Sequence, residues 1–208
     1  VLVPNAVNAA VFSAEPGPLP TDFPPGDGPV FGYHGSLYGD WFNWDELREV
    51  AVGHPSARII MIGDVPATHP VMPSNVHFLG LKPQGSLPDY LARFDVGLLP
   101  FVVSPTTHAV SPLKVFEYLA CGVPVAAPPL RALSGIPGVV TAERLVDAVE
   151  EAIARPRPDR GEALRLHSWE ERVGRLLSAL GLSSPGRGTP PKVVARQAIH
   201  YARGERRL

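Results

Sequence analysis

Short runs rich in apolar and β-branched residues alternate with stretches of helical periodicity, and this alternation constrains the chain more than any other feature. Strands are predicted at Val30–His34, Arg58–Ile62, Val76–Leu79, Val96–Pro100 and Val123–Ala126, with a weaker one at Gly138–Thr141. Helical patterns fall at Trp44–Val52, Leu87–Phe94, Pro112–Ala120, Ala142–Ala154 and Gly161–Leu180. Asn43, Ser86 and Ser111 stand where N-caps are expected, and Gly122 lies just past the end of the third helix. Apolar strands separated by helices imply a parallel sheet covered on both faces. The predicted fold class is therefore α/β, a doubly wound, Rossmann-like parallel sheet. Ligands of such sheets sit outside the carboxyl ends of the strands, so function is expected in the loops after His34, Leu79, Pro100 and Ala126.

The 208 residues suffice for one substantial core but not for two complete catalytic domains. Of the 25 prolines, many fall in two Gly- and Ser-interleaved clusters, Pro16–Pro29 and Pro185–Pro191, which read as linkers. Residues 1–28 are thus expected to be an entry segment with a linker, 29–181 the folded domain, and 182–208 a basic tail with a short helix at Pro191–Ala202. That tail carries Arg187, Lys192, Arg196, Arg203, Arg206 and Arg207 against Glu205. It reads first as a solvated end and second as a peripheral contact with an anionic membrane. The chain opens on Val1-Leu2-Val3 with neither leader nor Met, as expected of a piece of something longer. Nineteen basic residues against twenty acidic ones give a net charge of −1, so nucleic acid is not an expected partner. A single cysteine, Cys121, allows no internal disulfide and fits a reducing, cytoplasmic setting. No apolar run is long enough to span a bilayer.

Chemistry concentrates between Asp95 and Val125. Asp95-Val-Gly-Leu-Leu-Pro-Phe101 leads into a polar loop through Thr106, Thr107 and His108, then into Ser111-Pro-Leu-Lys-Val-Phe-Glu-Tyr-Leu-Ala-Cys-Gly-Val-Pro-Val125. Read physically, this is strand, loop, capped helix, turn and strand, with Ser111 as the cap and Pro112 in the first helical position. A helix start at the ligand edge of a sheet offers free N–H groups to a phosphate. Lys114 in the first turn and Glu117 three residues on are expected to face one space. The ammonium suits a diphosphate, and the carboxylate can accept the vicinal hydroxyls of a ribose. An i,i+3 surface salt bridge accounts for the same spacing equally well.

The Asp95–Val125 run resembles the donor-site signature of bacterial GT-B glycosyltransferases, the group 1 cell-envelope type, with its DVxLLPF … SPLKxFEYLAxGxPV pattern. Val3-Pro4-Asn5-Ala6-Val7-Asn8 with Phe12 is similar to the entry into the C-terminal domain of such enzymes. Gly32-Tyr-His-Gly35 and Asn75-Val-His-Phe-Leu-Gly80 resemble that domain's first and third strands. The likeness runs in order from residue 1 to about residue 155. It implies a nucleotide-sugar-binding, C-terminal half of a GT-B architecture that takes a nucleotide-diphosphate sugar, UDP-linked by preference, without a cofactor or a metal. The acceptor, a glycan or lipid-linked molecule at the inner face of the membrane, would be held by a missing N-terminal domain, leaving the fragment inactive alone. Residue by residue, the resemblance implies that Glu117 holds the ribose. It gives the diphosphate to Lys114, as the catalytic group, and to Ser111 with the amides that follow from Leu113. Gly35 and Ser36 would make the close approach after the first strand, and Leu81 and Lys82 would meet the base. The family's donor-sugar Glu is replaced here by Ala109, with His108 beside it as a substitute contact, and Ser36 stands where an Arg is usual. His34 reads as strand-end packing.

No Asp-x-Asp pair occurs, which argues against a metal-dependent transferase. Gly26-Asp-Gly28 precedes the first strand and reads as a turn, so a hydride-transfer Rossmann enzyme loses its main support. Two alternatives stay open: a nucleotide-binding or interaction module without turnover, and a sugar-nucleotide epimerase of the same architecture.

Overall fold

The computed structural model of the chain describes residues 3–182. Residues 1–172 form one compact unit, and a second begins at Val173 within the last helix. The basic tail beyond Leu182, with its expected helix, lies outside the described residues.

In chain order the elements are α1 (Ala9–Phe12), β1 (Val30–His34), α2 (Trp44–Gly53), β2 (Arg58–Ile62), β3 (Val76–Gly80), α3 (Leu87–Leu91), β4 (Val96–Leu98), α4 (Pro105–Ala109), α5 (Leu113–Ala120), β5 (Val125–Ala127), β6 (Val139–Thr141), α6 (Leu145–Ala154), α7 (Arg160–His167) and α8 (Trp169–Ala179). The six strands form one parallel sheet in the order β3-β2-β1-β4-β5-β6. β1, β4 and β5 are buried at every position, as strands between two helical layers must be. Helices α2 and α6 pack together, as do α5 and α7.

Strand order reverses between β1 and β4, and there the sheet opens. Their ladder pairs Phe31 with Val96 and Gly32 with Gly97, then stops. Past that point the Tyr118 hydroxyl takes over, accepting from the His34 N–H at 3.0 Å and donating to the Gly32 carbonyl at 3.3 Å. The paired glycines make room for the Tyr118 and Phe94 rings. A methyl on Gly97 would stand 2.6 Å from the Tyr118 ring, and one on Gly32 would stand 1.9 Å from Phe94. Tyr118 therefore clamps α5 to the central strand one turn beyond Lys114, which fixes the start of α5 at the mouth of the crevice.

Several boundaries differ from expectation for traceable reasons. The helix expected at Gly161–Leu180 is two, because Ser168 turns extended and bridges Val7 in parallel. Helix α6 starts only at Leu145, whose N–H is taken at 2.6 Å by the Glu46 carboxylate of α2. The polar loop around Thr107 closes into the single-turn α4, capped reciprocally by Ser104 and Thr107. The stretch read as a linker is fastened down: Phe23 is buried, Arg58 donates to the carbonyls of Pro24 and Gly28, and Asp89 receives the Gly17 N–H.

Candidate functional site

A cleft of about 370 Å³ opens over the start of α5, within the size range of small-molecule sites. Asn5, Ser36, Trp41, Phe101, Thr106, Thr107 and the run from Val110 to Lys114 line it. The local geometry of that helix start departs from the sequence reading. The first helical residue is Leu113, Pro112 occupies the cap position with extended backbone, and no side chain caps the turn. Ser111 is not the cap because Asn5 has claimed it: the Asn5 N–H donates to its hydroxyl at 3.3 Å and the Asn5 amide to its carbonyl at 2.7 Å. The opening turn of α5 thus keeps its amides clear of any side-chain acceptor.

Lys114 is half-buried within an aromatic surround. Its ammonium donates to the Tyr33 hydroxyl at 3.0 Å and lies 4.5 Å from the Tyr33 ring centre, 4.9 Å from Phe101 and 5.7 Å from Trp41. It forms no ion pair within 4 Å among the described residues. Burial pulls its pKa down to about 8, and the Glu117 charge offsets part of that fall. Gly35 adjoins it: a methyl there would come within 3.1 Å of the Lys114 side-chain end, and its φ of +123° suits glycine alone. The loop carrying Gly35 is held to the neighbouring strand by its N–H, which donates to the Ile62 carbonyl at 2.9 Å.

Glu117 lies deeper than expected. Lys114 lines the cleft and Glu117 does not, being only 4% exposed. Its Oε2 stands 3.2 Å from His34 Nε2, and the exposed Gln84 side chain lies near the same carboxylate. Burial raises its pKa to about 7, against the lowering effect of Gln84 and of Lys114. His34 is held neutral, pushed down to about 3 by burial and by the Lys114 charge.

The remaining expected contacts scatter. Ser36, Ser111 and Leu113 line the cleft, whereas Leu81, Lys82 and His108 do not. Leu81 is exposed, and Lys82 is ion-paired at 2.5 Å with Asp22, which also accepts from Tyr90. His108 Nδ1 receives the Arg131 N–H at 3.3 Å. Ala109 is exposed and brings no carboxylate. Sequence reasoning assigned nothing to Asn5, Tyr33, Trp41, Phe101 or Gln84. Tyr33 and Phe101 sit inside motifs it had singled out, but Trp41 and Gln84 reach the site only through the fold. Among the described residues no cluster of three or more His, Cys, Asp or Glu side chains is placed to hold a metal, and no helix is long and apolar enough to cross a membrane.

Similar proteins place this geometry in context. A teichuronic acid biosynthesis protein of Bacillus subtilis (strain 168), TuaH, assigned as a glycosyltransferase, is 30% identical over 130 residues, which cover 59% of this chain and 32% of that protein. Among solved structures, sucrose-phosphate synthase from Thermosynechococcus elongatus superposes with a TM-score of 0.64 at 21% identity, over 87% of this chain and 52% of that one. A glycosyltransferase from Rickettsia africae gives 0.61 at 14%, over 86% and 56%. Anabaena HepE, solved with UDP and glucose, gives 0.54 at 16%, over 74% and 48%. The chain therefore spans about half the length of these structures, and they share its fold. Residues 28–156, more than half of the chain, match the family model described as glycosyl transferases group 1, and the chain belongs to that family.

Proposed function

We propose that this chain is the nucleotide-sugar-binding half of a glycosyltransferase, in which a nucleotide-diphosphate sugar, UDP-linked by preference, lies over the opening turn of α5. The observation that carries the reading is the ammonium of Lys114, without an ion pair among the described residues, at the cleft beside uncapped helix amides. Holding that charge half-buried without a counter-ion is costly, and a diphosphate relieves the cost. Gly35, Ser36, Ser111 and the amides at Leu113 and Lys114 complete the phosphate contacts, and His108 lies one turn of chain away on α4. In the transfer step Lys114 and the helix start stabilise charge building on the leaving diphosphate, so no metal or cofactor is needed. The HepE complex supports UDP as the nucleotide, because the same fold carries it there.

Glu117 receives the ribose once Gln84 swings aside. Main-chain groups at Leu81 and Lys82 then meet the base. Residues 1–28 lead in from a second domain that holds the acceptor, and the assignment of TuaH to teichuronic acid biosynthesis supports a cell-envelope glycan or a lipid-linked acceptor at the cytoplasmic membrane face.

Calorimetric titration of UDP into the wild type, Lys114→Ala and Glu117→Ala tests the site. Binding by the wild type alone is the expected result; equal binding by all three contradicts it. A second reading, nucleotide binding without turnover, is favoured by Ala109, which stands where the family resemblance implies a carboxylate for the donor sugar. Transfer and hydrolysis assays on the full-length protein separate the two.

A further inference from the structure

His34 and Glu117 make a buried pair whose chemistry the phosphate site does not use. His34 closes β1 directly before Gly35 and is 7% exposed. Its ring is fixed edge-on to Tyr118, with centres 5.1 Å apart, and its backbone N–H is bound to the Tyr118 hydroxyl. Its Nε2 is buried with no hydrogen-bond partner among the described residues, and the Glu117 carboxylate stands 3.2 Å away. A buried ring nitrogen left without a partner is rare and calls for an explanation.

We propose that His34 is a positioning residue, which holds the Glu117 carboxylate through Nε2 in the orientation that receives both ribose hydroxyls, and so sets a preference for ribonucleotides over 2′-deoxyribonucleotides. The inference rests on the reading of Glu117 as the ribose contact. A neutral imidazole can donate one hydrogen to an ionised carboxylate or accept one from a neutral carboxyl, so it orients Glu117 without cancelling its charge. One hydrogen bond from His34 still leaves acceptor positions on both carboxylate oxygens for a vicinal diol. The other groups around the carboxylate cannot do this. Gln84 comes from an exposed turn, and Lys114 belongs to the phosphates. Tyr118 is engaged with β1, and the Tyr33 hydroxyl donates to the Ser36 carbonyl. Without the 2′-hydroxyl, an oriented carboxylate oxygen loses its partner, and that loss is the source of discrimination.

The test is calorimetric binding of UDP and 2′-deoxy-UDP to the wild type, Glu117→Gln, His34→Phe, His34→Asn and His34→Gln. The wild type is expected to favour UDP by about tenfold or more, the size of a hydrogen bond to a charged group. His34→Phe keeps the ring packing but brings the preference near unity while leaving 2′-deoxy-UDP affinity within about threefold. His34→Asn, too short to reach, does the same and serves if the Phe variant does not fold. His34→Gln, whose amide nitrogen reaches as far as Nε2, restores most of the preference. If the His34 variants weaken both nucleotides equally, or leave the preference intact while Glu117→Gln removes it, His34 has no positioning role. If the wild type shows no preference and Glu117→Gln changes nothing, the ribose assignment itself fails and takes the inference with it.

Discussion

Two lysines stand near the carboxyl edge of the sheet, and their surroundings differ in kind. Lys82, after β3, is paired with Asp22 and lies 5.6 Å from the Tyr90 ring, and its hydrogen bond to Asp22 raises its pKa. Lys114, at the crevice between β1 and β4, has aromatic rings and a hydroxyl for company, and burial lowers its pKa to about 8. One cation is already satisfied; the other is held where an arriving anion gains most. The lesson concerns the sheet more than the side chains. Where the ladder continues, loops fasten to one another through backbone bonds such as Gly35 to Ile62 and Gly63 to Gly80. Where it parts, a helix start and a half-buried charge fill the gap.

The sharpest way to break this contrast is Lys114→Met. UDP affinity is expected to fall about 100-fold, the loss of a charge-assisted phosphate contact. The melting temperature should hold or rise, because an apolar chain replaces an unpaired, half-buried charge. Titration calorimetry and thermal melts measure the two effects, and a variant that loses stability but keeps binding would reverse the account.

The pH profile comes next. Nucleotide binding needs Glu117 ionised and Lys114 protonated. Glu117 has a raised pKa, so affinity should climb with pH up to about 7; Lys114 has a lowered one, so affinity should fall above about 8. The optimum is expected between those values, with about tenfold loss per pH unit well outside them. A flat profile from pH about 6 to about 9 would remove both groups from the site.

Smaller effects sharpen the picture. Gln84→Ala removes a polar side chain beside the Glu117 carboxylate and should tighten UDP binding by about two- to fivefold, the low end of the net worth of one hydrogen bond. Weaker binding in that variant would show that Gln84 contacts the ligand instead. Lys82→Ala should alter UDP affinity by less than about threefold and lower stability by about 0–1 kcal/mol, as an exposed ion pair does. A loss as large as that of Lys114→Met would mean that the two cations share one ligand.

Much of the fold was legible because it is written locally. Val30–His34 and Arg58–Ile62 are apolar runs flanked by turns, and they are strands at those residues. The Asn43 cap accepts the Glu46 N–H as its spacing implies, and Gly122 takes the positive φ that ends α5. The failures are long-range. Ser111 looked like a cap, yet Asn5, 106 residues earlier, holds it. Glu117 and Lys114 lie three residues apart on one helix, but Lys114 lines the cleft while Glu117 is buried, and no pattern within the helix reveals its neighbour Gln84, 33 positions away. His34 does pack on Tyr118 as its strand-end place implies, but its closeness to Glu117 spans two elements and no local pattern shows it.

The most direct test is a crystal structure of this chain soaked with UDP. The account requires the diphosphate at the amides that open α5, within hydrogen-bonding reach of Lys114 Nζ, and the ribose on the Glu117 carboxylate. UDP seated elsewhere on the chain, or over α5 with its ribose out of reach of Glu117, would contradict it.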